Sequence, residues 1–166
     1  MNSTESDYLS SHELDSELII GLVCAVGTES ILIVDLIKER LGRAGYIAKA
    51  VKVSSDVIPQ LVTVSDCGND KYKRYSELMD AGNRCRARKD RNGNADDAIL
   101  ALGAATIIST TRRQLNQRSE PQSQLASDES TRQAPNPLPK TAFIIDSLKR
   151  PEEVEKLRII YPSGFI

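Results

Sequence analysis

The sequence predicts an α/β domain whose parallel sheet is flanked by helices, and three features predict it. An apolar run, Glu17-Leu-Ile-Ile-Gly-Leu-Val-Cys24, leads through a short bend into an amphipathic helix and then into a second strand, the order of a βαβ unit. A second continuous apolar run, Thr141-Ala-Phe-Ile-Ile-Asp-Ser147, is followed at once by a helix start at Pro151. The chain has 166 residues, of which 40% are hydrophobic, enough for one domain with a core.

Residues 1–16 hold few apolar side chains and are expected to form a disordered tail, with the domain occupying 17–166. The first strand, about 17–24, is apolar nearly throughout and so suits a strand buried on both faces. In the next helix Val34, Ile37, Leu41 and Ala44 recur at helical spacing, and Gly42 and Gly45 mark its end. Tyr46 to Val53 alternates apolar with polar residues, as a half-buried strand does. Ser54 or Ser55 before Asp56 would cap a short helix into Leu61. A longer helix is expected from Asp70 to about Arg91, interrupted at Gly82, and another from Ala95 to about Leu115 with Asn94 as its N-cap. Residues 116–138 are dominated by Gln, Ser, Asn and Pro and are expected to be a flexible surface insertion. Pro151-Glu-Glu opens the last helix with Pro in the first turn and acids at the positive end of the dipole. Ser163-Gly-Phe-Ile166 has the chemistry of a turn followed by the start of another strand, as in a fragment or truncated product of a longer chain.

A net charge of −1, from 22 basic and 23 acidic side chains, gives no electrostatic case for nucleic-acid or membrane-surface binding. No apolar run approaches the roughly 20 residues of a membrane span, and the polar, acidic N-terminus carries no secretory signal. Three widely spaced cysteines, Cys24, Cys67 and Cys85, fit free thiols in a reducing, cytoplasmic compartment.

The bend between the first strand and helix has the outline of a phosphate-binding loop. The pattern G-x-x-x-x-G-K-[ST] needs a Lys for the β/γ-phosphates and a hydroxyl for magnesium. Here Gly27 is followed by Thr28, Glu29 and Ser30, and Gly21 stands one residue too far back. The missing ammonium matters: about 4 Å from a phosphate charge it would gain roughly 4 kcal/mol at an effective dielectric near 20. The loop is either a degenerate nucleotide cradle relying on the backbone N–H groups of Gly27–Ser30, or a β–α turn in which Thr28 caps the helix and Glu29 complements its dipole. Asp146 closes the apolar strand Ala142–Asp146 in the manner of a magnesium-directed Walker-B carboxylate, or is simply a strand-end Asp. Arg84, Arg86, Arg88 and Lys89 could hold phosphates, or could line a solvated helix face. The single histidine, His12, lies in the tail, which removes histidine-based nucleophilic triads and leaves no catalytic zinc ligand set of three.

Several stretches together resemble one family. Glu17 to Thr28, Arg74-Tyr-Ser-Glu-Leu-Met-Asp-Ala-Gly-Asn83, Thr141-Ala-Phe-Ile-Ile-Asp-Ser-Leu-Lys-Arg-Pro-Glu-Glu-Val154 and Leu157-Arg-Ile-Ile-Tyr-Pro-Ser-Gly-Phe165 look like the N-terminal domain of anti-phage dCTP deaminases. The resemblance spans about 17–166 apart from the insertion. It implies a three-layer P-loop NTPase or nucleotide-kinase-like domain, standing without the C-terminal zinc deaminase domain of such proteins. It also implies a non-catalytic, nucleotide-binding or regulatory role in an antiviral deoxycytidine nucleotide deaminase, with a nucleotide (dCTP or another NTP) and a second copy of the chain as partners. The zinc of the family belongs to the missing domain; magnesium is left open. The nucleotide-binding residues would be Gly21, Gly27, Thr28, Glu29, Ser30, Arg84, Arg88 and Asp146. Cys24 departs from the family in standing where a Gly is common. A small nucleoside or nucleotide kinase and a vestigial oligomerisation module are the alternatives.

Overall fold

The computed structural model describes residues 15–25, 28–89, 93–119 and 134–166. Most of the expected tail, Gly27 of the loop and the centre of the expected insertion lie outside these residues. The elements run β1 (Leu18–Val23), α1 (Ser30–Arg43), β2 (Ile47–Lys52), a π-helical turn (Val53–Val57), α2 (Ile58–Leu61), α3 (Lys71–Arg86), α4 (Ile99–Ser119), β3 (Thr141–Leu148) and α5 (Pro151–Ile160). Among the described residues the sheet is three-stranded and parallel, in the order β1-β3-β2.

β3 is central because it is the most apolar strand: Thr141 to Asp146 and Leu148 are buried. One face of the sheet, carrying Ile19, Val51, Phe143 and Ile145, packs on Ala81 and Cys85 of α3, on Leu100, Ala101, Ala104 and Ile108 of α4, and on Leu157 of α5. Successive strand residues point to opposite faces, so Ala142, Ile144 and Asp146 face the other way, where α1 contacts β2 and β3. Deleting a large side chain such as Leu157 or Ile145 from this core would cost about 2–5 kcal/mol.

The chain ends beside the sheet. Gly164 and Ile166 carbonyls accept from Ile19 N (2.8 Å) and Gly21 N (2.9 Å), and Ile166 N donates to the Ile19 carbonyl (2.9 Å), a parallel pairing along the outer edge of β1. Phe165 then lies over Gly21: a β-carbon added there would stand 2.7 Å from the Phe165 ring.

Several boundaries differ from the sequence expectation, each for a local reason. No serine caps the turn after β2: α2 follows Val57 without a side-chain cap, and Asp56 Oδ2 instead accepts from Lys52 N at 2.8 Å. Helix α3 begins after Asp70, whose Oδ1 accepts from Lys73 N, ends at Arg86, and runs unbroken through Gly82, which is buried where the Arg86 side chain passes. α4 starts at Ile99 rather than Ala95, because Asp96, not Asn94, accepts the free N–H of Ala98 at 2.9 Å. At its other end α4 continues to Ser119, and Leu138 is buried with its N–H donated to Glu17 Oε2 at 2.8 Å. The helix therefore reaches into the start of the segment expected to be a loose insertion, and the last residue of that segment is anchored without regular structure.

Two buried ion pairs tie the layers together, one joining α3 to α5 and the other joining α4 to the start of β1. Glu153 of α5 is 0% exposed and takes Arg86 Nη2 at 2.6 Å, while its other oxygen accepts from Lys149 N and Arg150 N. Glu17 accepts from both Arg112 Nε and Nη2, and the Arg112 guanidinium stacks 5.3 Å from the Tyr161 ring centre.

Candidate functional site at the carboxyl ends of β1 and β3

Parallel strands put their carboxyl ends on one side of the sheet. From β1 the chain crosses through α1 to β2 on one side; from β3 it crosses through α5 to residues 164–166 on the other. The outgoing connections of these neighbours run in opposite directions, which makes the crevice between their ends a topological switch point, the usual ligand position in open α/β sheets.

Ser30 and Asp146 meet at that point. Ser30 opens α1 and is buried; its hydroxyl donates to Asp146 Oδ2 at 2.9 Å. Asp146 is 3% exposed, and its second oxygen accepts from Ser147 Oγ at 3.1 Å. Ser147 takes a positive φ of 78°, the left-handed region that is strained for a side chain with a β-carbon. It is the extra residue of a β-bulge: Leu22 pairs with Asp146, but Val23 pairs with Leu148. The bulge does two things. It turns Leu148 into the core, where simple alternation would have left it on the opposite face, and it brings the Ser147 hydroxyl to the carboxylate.

The three buried carboxylates of the described residues are treated differently. Glu17 has Arg112 and Glu153 has Arg86, but among the described residues no cation stands within ion-pair distance of Asp146, whose partners there are two neutral hydroxyls. A buried charge without a partner is costly. A carboxylate with convergent hydroxyl oxygens is the hard-oxygen donor set that magnesium takes, the remaining positions going to water or phosphate.

The other residues expected at the site are dispersed. Thr28 and Glu29 are exposed beside Ser30. The Thr28 and Ser30 amides are occupied within the loop, donating to the Ala25 carbonyl (3.2 Å) and the Thr28 carbonyl (2.8 Å), so backbone donors are fewer than the sequence alone suggests. Gly27 lies outside the described residues. Gly21 lies within β1, where it accommodates Phe165. Arg84 is taken by Glu77 Oε1 (2.8 Å) and the Thr63 carbonyl (3.1 Å), and Arg88 by the Leu61 carbonyl (2.6 Å). The Ser65 amide and Arg84 together hold the Glu77 carboxyl below the usual carboxylate range.

Two cavities lie to one side. One, of about 260 Å³, opens after β2 between Ser54, Ser55, Cys67, Arg74 and Glu77. The other, of about 300 Å³, is bounded by Leu61, Arg88, Lys89, Asp96 and Ile99. Neither includes Ser30 or Asp146. Cys85 is inert by position, since burial pushes its thiol up. Among the described residues no set of three His, Cys, Asp or Glu converges for a metal, and no helix is long and apolar enough to cross a membrane.

Ser147 carried no sequence signal, because nothing in the apolar run foretells a left-handed residue at its end. Comparison with known proteins adds nothing to the geometry: no family model, curated protein or solved structure matches this chain.

Proposed function

We propose that the crevice between β1 and β3 binds the phosphates of a nucleotide, with magnesium held by Asp146 and Ser30, in a domain that regulates rather than catalyses. One observation carries this reading: Asp146 is a buried carboxylate at the switch point, supplied with hydroxyls where the other buried acids have arginines. The pairing of a helix-opening hydroxyl with a strand-ending Asp is the arrangement by which P-loop proteins hold magnesium, and it fits the P-loop-kinase-like fold that the sequence resemblance implies. Bound there, the ion would neutralise phosphate charge. The chain's own part is to fix the carboxylate and the hydroxyl and to keep both away from bulk water. The resemblance implies a nucleotide, dCTP or another NTP, as the ligand and control or assembly of a deoxycytidine nucleotide deaminase as the role.

Calorimetric titration of the full chain with dCTP and with ATP, each with and without magnesium, tests this. Magnesium-dependent heat for either nucleotide is expected; no heat for both overturns the reading.

A second reading has its own observation. Ile31, Leu32 and Leu36 of α1 are more than half exposed, at 61%, 63% and 53%, an apolar stripe suited to self-association. Sedimentation of the full chain with and without magnesium-dCTP separates the two: nucleotide-indifferent dimers favour assembly alone.

A further inference from the structure

The loop between β1 and α1 lacks the lysine that a phosphate site needs, yet one lysine from elsewhere reaches its mouth and a second stands on the strand beside Asp146. Lys149, in the joint between β3 and α5, donates its ammonium to the Cys24 carbonyl, at the mouth of that loop. Lys52, the last residue of β2, stands in register with Asp146, so the two side chains leave the same face of the sheet on neighbouring strands. Lys52 is exposed and has no ion-pair partner among the described residues. The Lys149 ammonium is likewise bonded to a carbonyl rather than to an acid.

The acids around these lysines are engaged elsewhere: Asp56 by Lys52 N and Ser55 Oγ, Glu153 by Arg86 and the Lys149 and Arg150 amides, and Asp146 by two hydroxyls, while Glu29 is exposed on the loop. One lysine therefore neighbours Asp146 on the adjacent strand and another stands at the mouth of the β1–α1 loop, and neither is ion-paired to the buried carboxylate. That arrangement suits a polyanion that is itself bridged to the carboxylate by a cation. With the Thr28 and Ser30 amides already occupied, side-chain cations have to carry much of the attraction.

We infer that Lys149, together with Lys52 on the strand beside Asp146, supplies to bound phosphates the positive charge that the β1–α1 loop lacks. This rests on the Ser30–Asp146 crevice being the phosphate site. The ligand class is a polyphosphate ester, recognised through its phosphates and not its base.

The test is titration of the full chain with magnesium-dCTP and with inorganic tripolyphosphate, in the wild type and in Lys149→Met, Lys149→Arg, Lys52→Met and the charge control Lys71→Met. Exposed charge pairs are worth up to about 1 kcal/mol, so Lys149→Met and Lys52→Met should each weaken both ligands about fivefold. Lys149→Arg and Lys71→Met should bind as the wild type does, and the salt dependence of binding should flatten in both Met variants. Thermal midpoints are measured alongside. A lower midpoint in Lys149→Met with unchanged affinity would make the lysine a structural tie and overturn the inference. Wild-type binding that both Met variants retain overturns it while leaving the crevice reading intact. A wild type that binds neither ligand removes both.

Discussion

The Ser30 hydroxyl donates to Asp146 Oδ2 at 2.9 Å, joining the first residue of α1 to the carboxyl end of the central strand across 116 positions of sequence. The bond fixes the carboxylate at the switch point but does not neutralise it. Asp146 should therefore trade stability for binding. In Asp146→Asn the charge is gone and the side chain can still bond both hydroxyls. A gain of about 1 kcal/mol is expected, raising the melting temperature by roughly 2–4 °C. Magnesium-dependent nucleotide binding should be lost in the same variant. Scanning calorimetry with and without magnesium-dCTP checks both; a destabilised Asp146→Asn would show that the charge already has a partner.

The Arg86–Glu153 pair should behave in the opposite way. Glu153 is completely buried and also holds the Lys149 and Arg150 amides at the start of α5. Removing only the arginine, as in Arg86→Met, leaves a buried carboxylate stranded and should cost about 3–5 kcal/mol. The double variant Arg86→Met with Glu153→Gln should recover a large part of that. Urea unfolding of the three variants measures the coupling, and strict additivity would refute it.

Gly21 is expected to matter for packing. In Gly21→Ala the new methyl would press on the Phe165 ring, 2.7 Å away, with a penalty of about 1–3 kcal/mol typical of overpacking. Phe165→Leu in the same chain should relieve most of it. Nucleotide affinity of the folded protein should be unchanged; a selective loss of binding would return Gly21 to the phosphate site.

Tyr161 gives the protein a signature at alkaline pH. Burial is the main cause that pushes its phenol up to about 12, with Arg112 opposing and Glu17 adding to the rise. The unfolded tyrosine ionises near 10, so the unfolded chain releases its proton first as pH climbs. The contribution is fully present below about pH 10 and is lost between roughly 10 and 12. After discounting for partial exposure it is on the order of 1–2 kcal/mol. Tyr161→Phe should show a shallower fall in melting temperature over that window than the wild type, measured as the difference between the two curves. Parallel curves would place the phenol in water.

What the sequence determined by itself is whatever depends on neighbours along the chain. The apolar runs in β1 and β3, the helical stripe and terminal glycines of α1, and the Pro-Glu-Glu opening of α5 produced elements close to the expected bounds, because period and capping are local physics. The same reasoning proposed Asp146 and Ser30, each on its own. Tertiary structure decided the rest: that these two touch while Arg84 and Arg88 are committed to Glu77 and to backbone carbonyls, and that Gly21 serves Phe165. It also decided that a left-handed Ser147 bulges β3 to bring a second hydroxyl to the carboxylate. Those outcomes depend on which strands become neighbours and in what register, and register is set by burial summed over the whole sheet, not by any window of the chain.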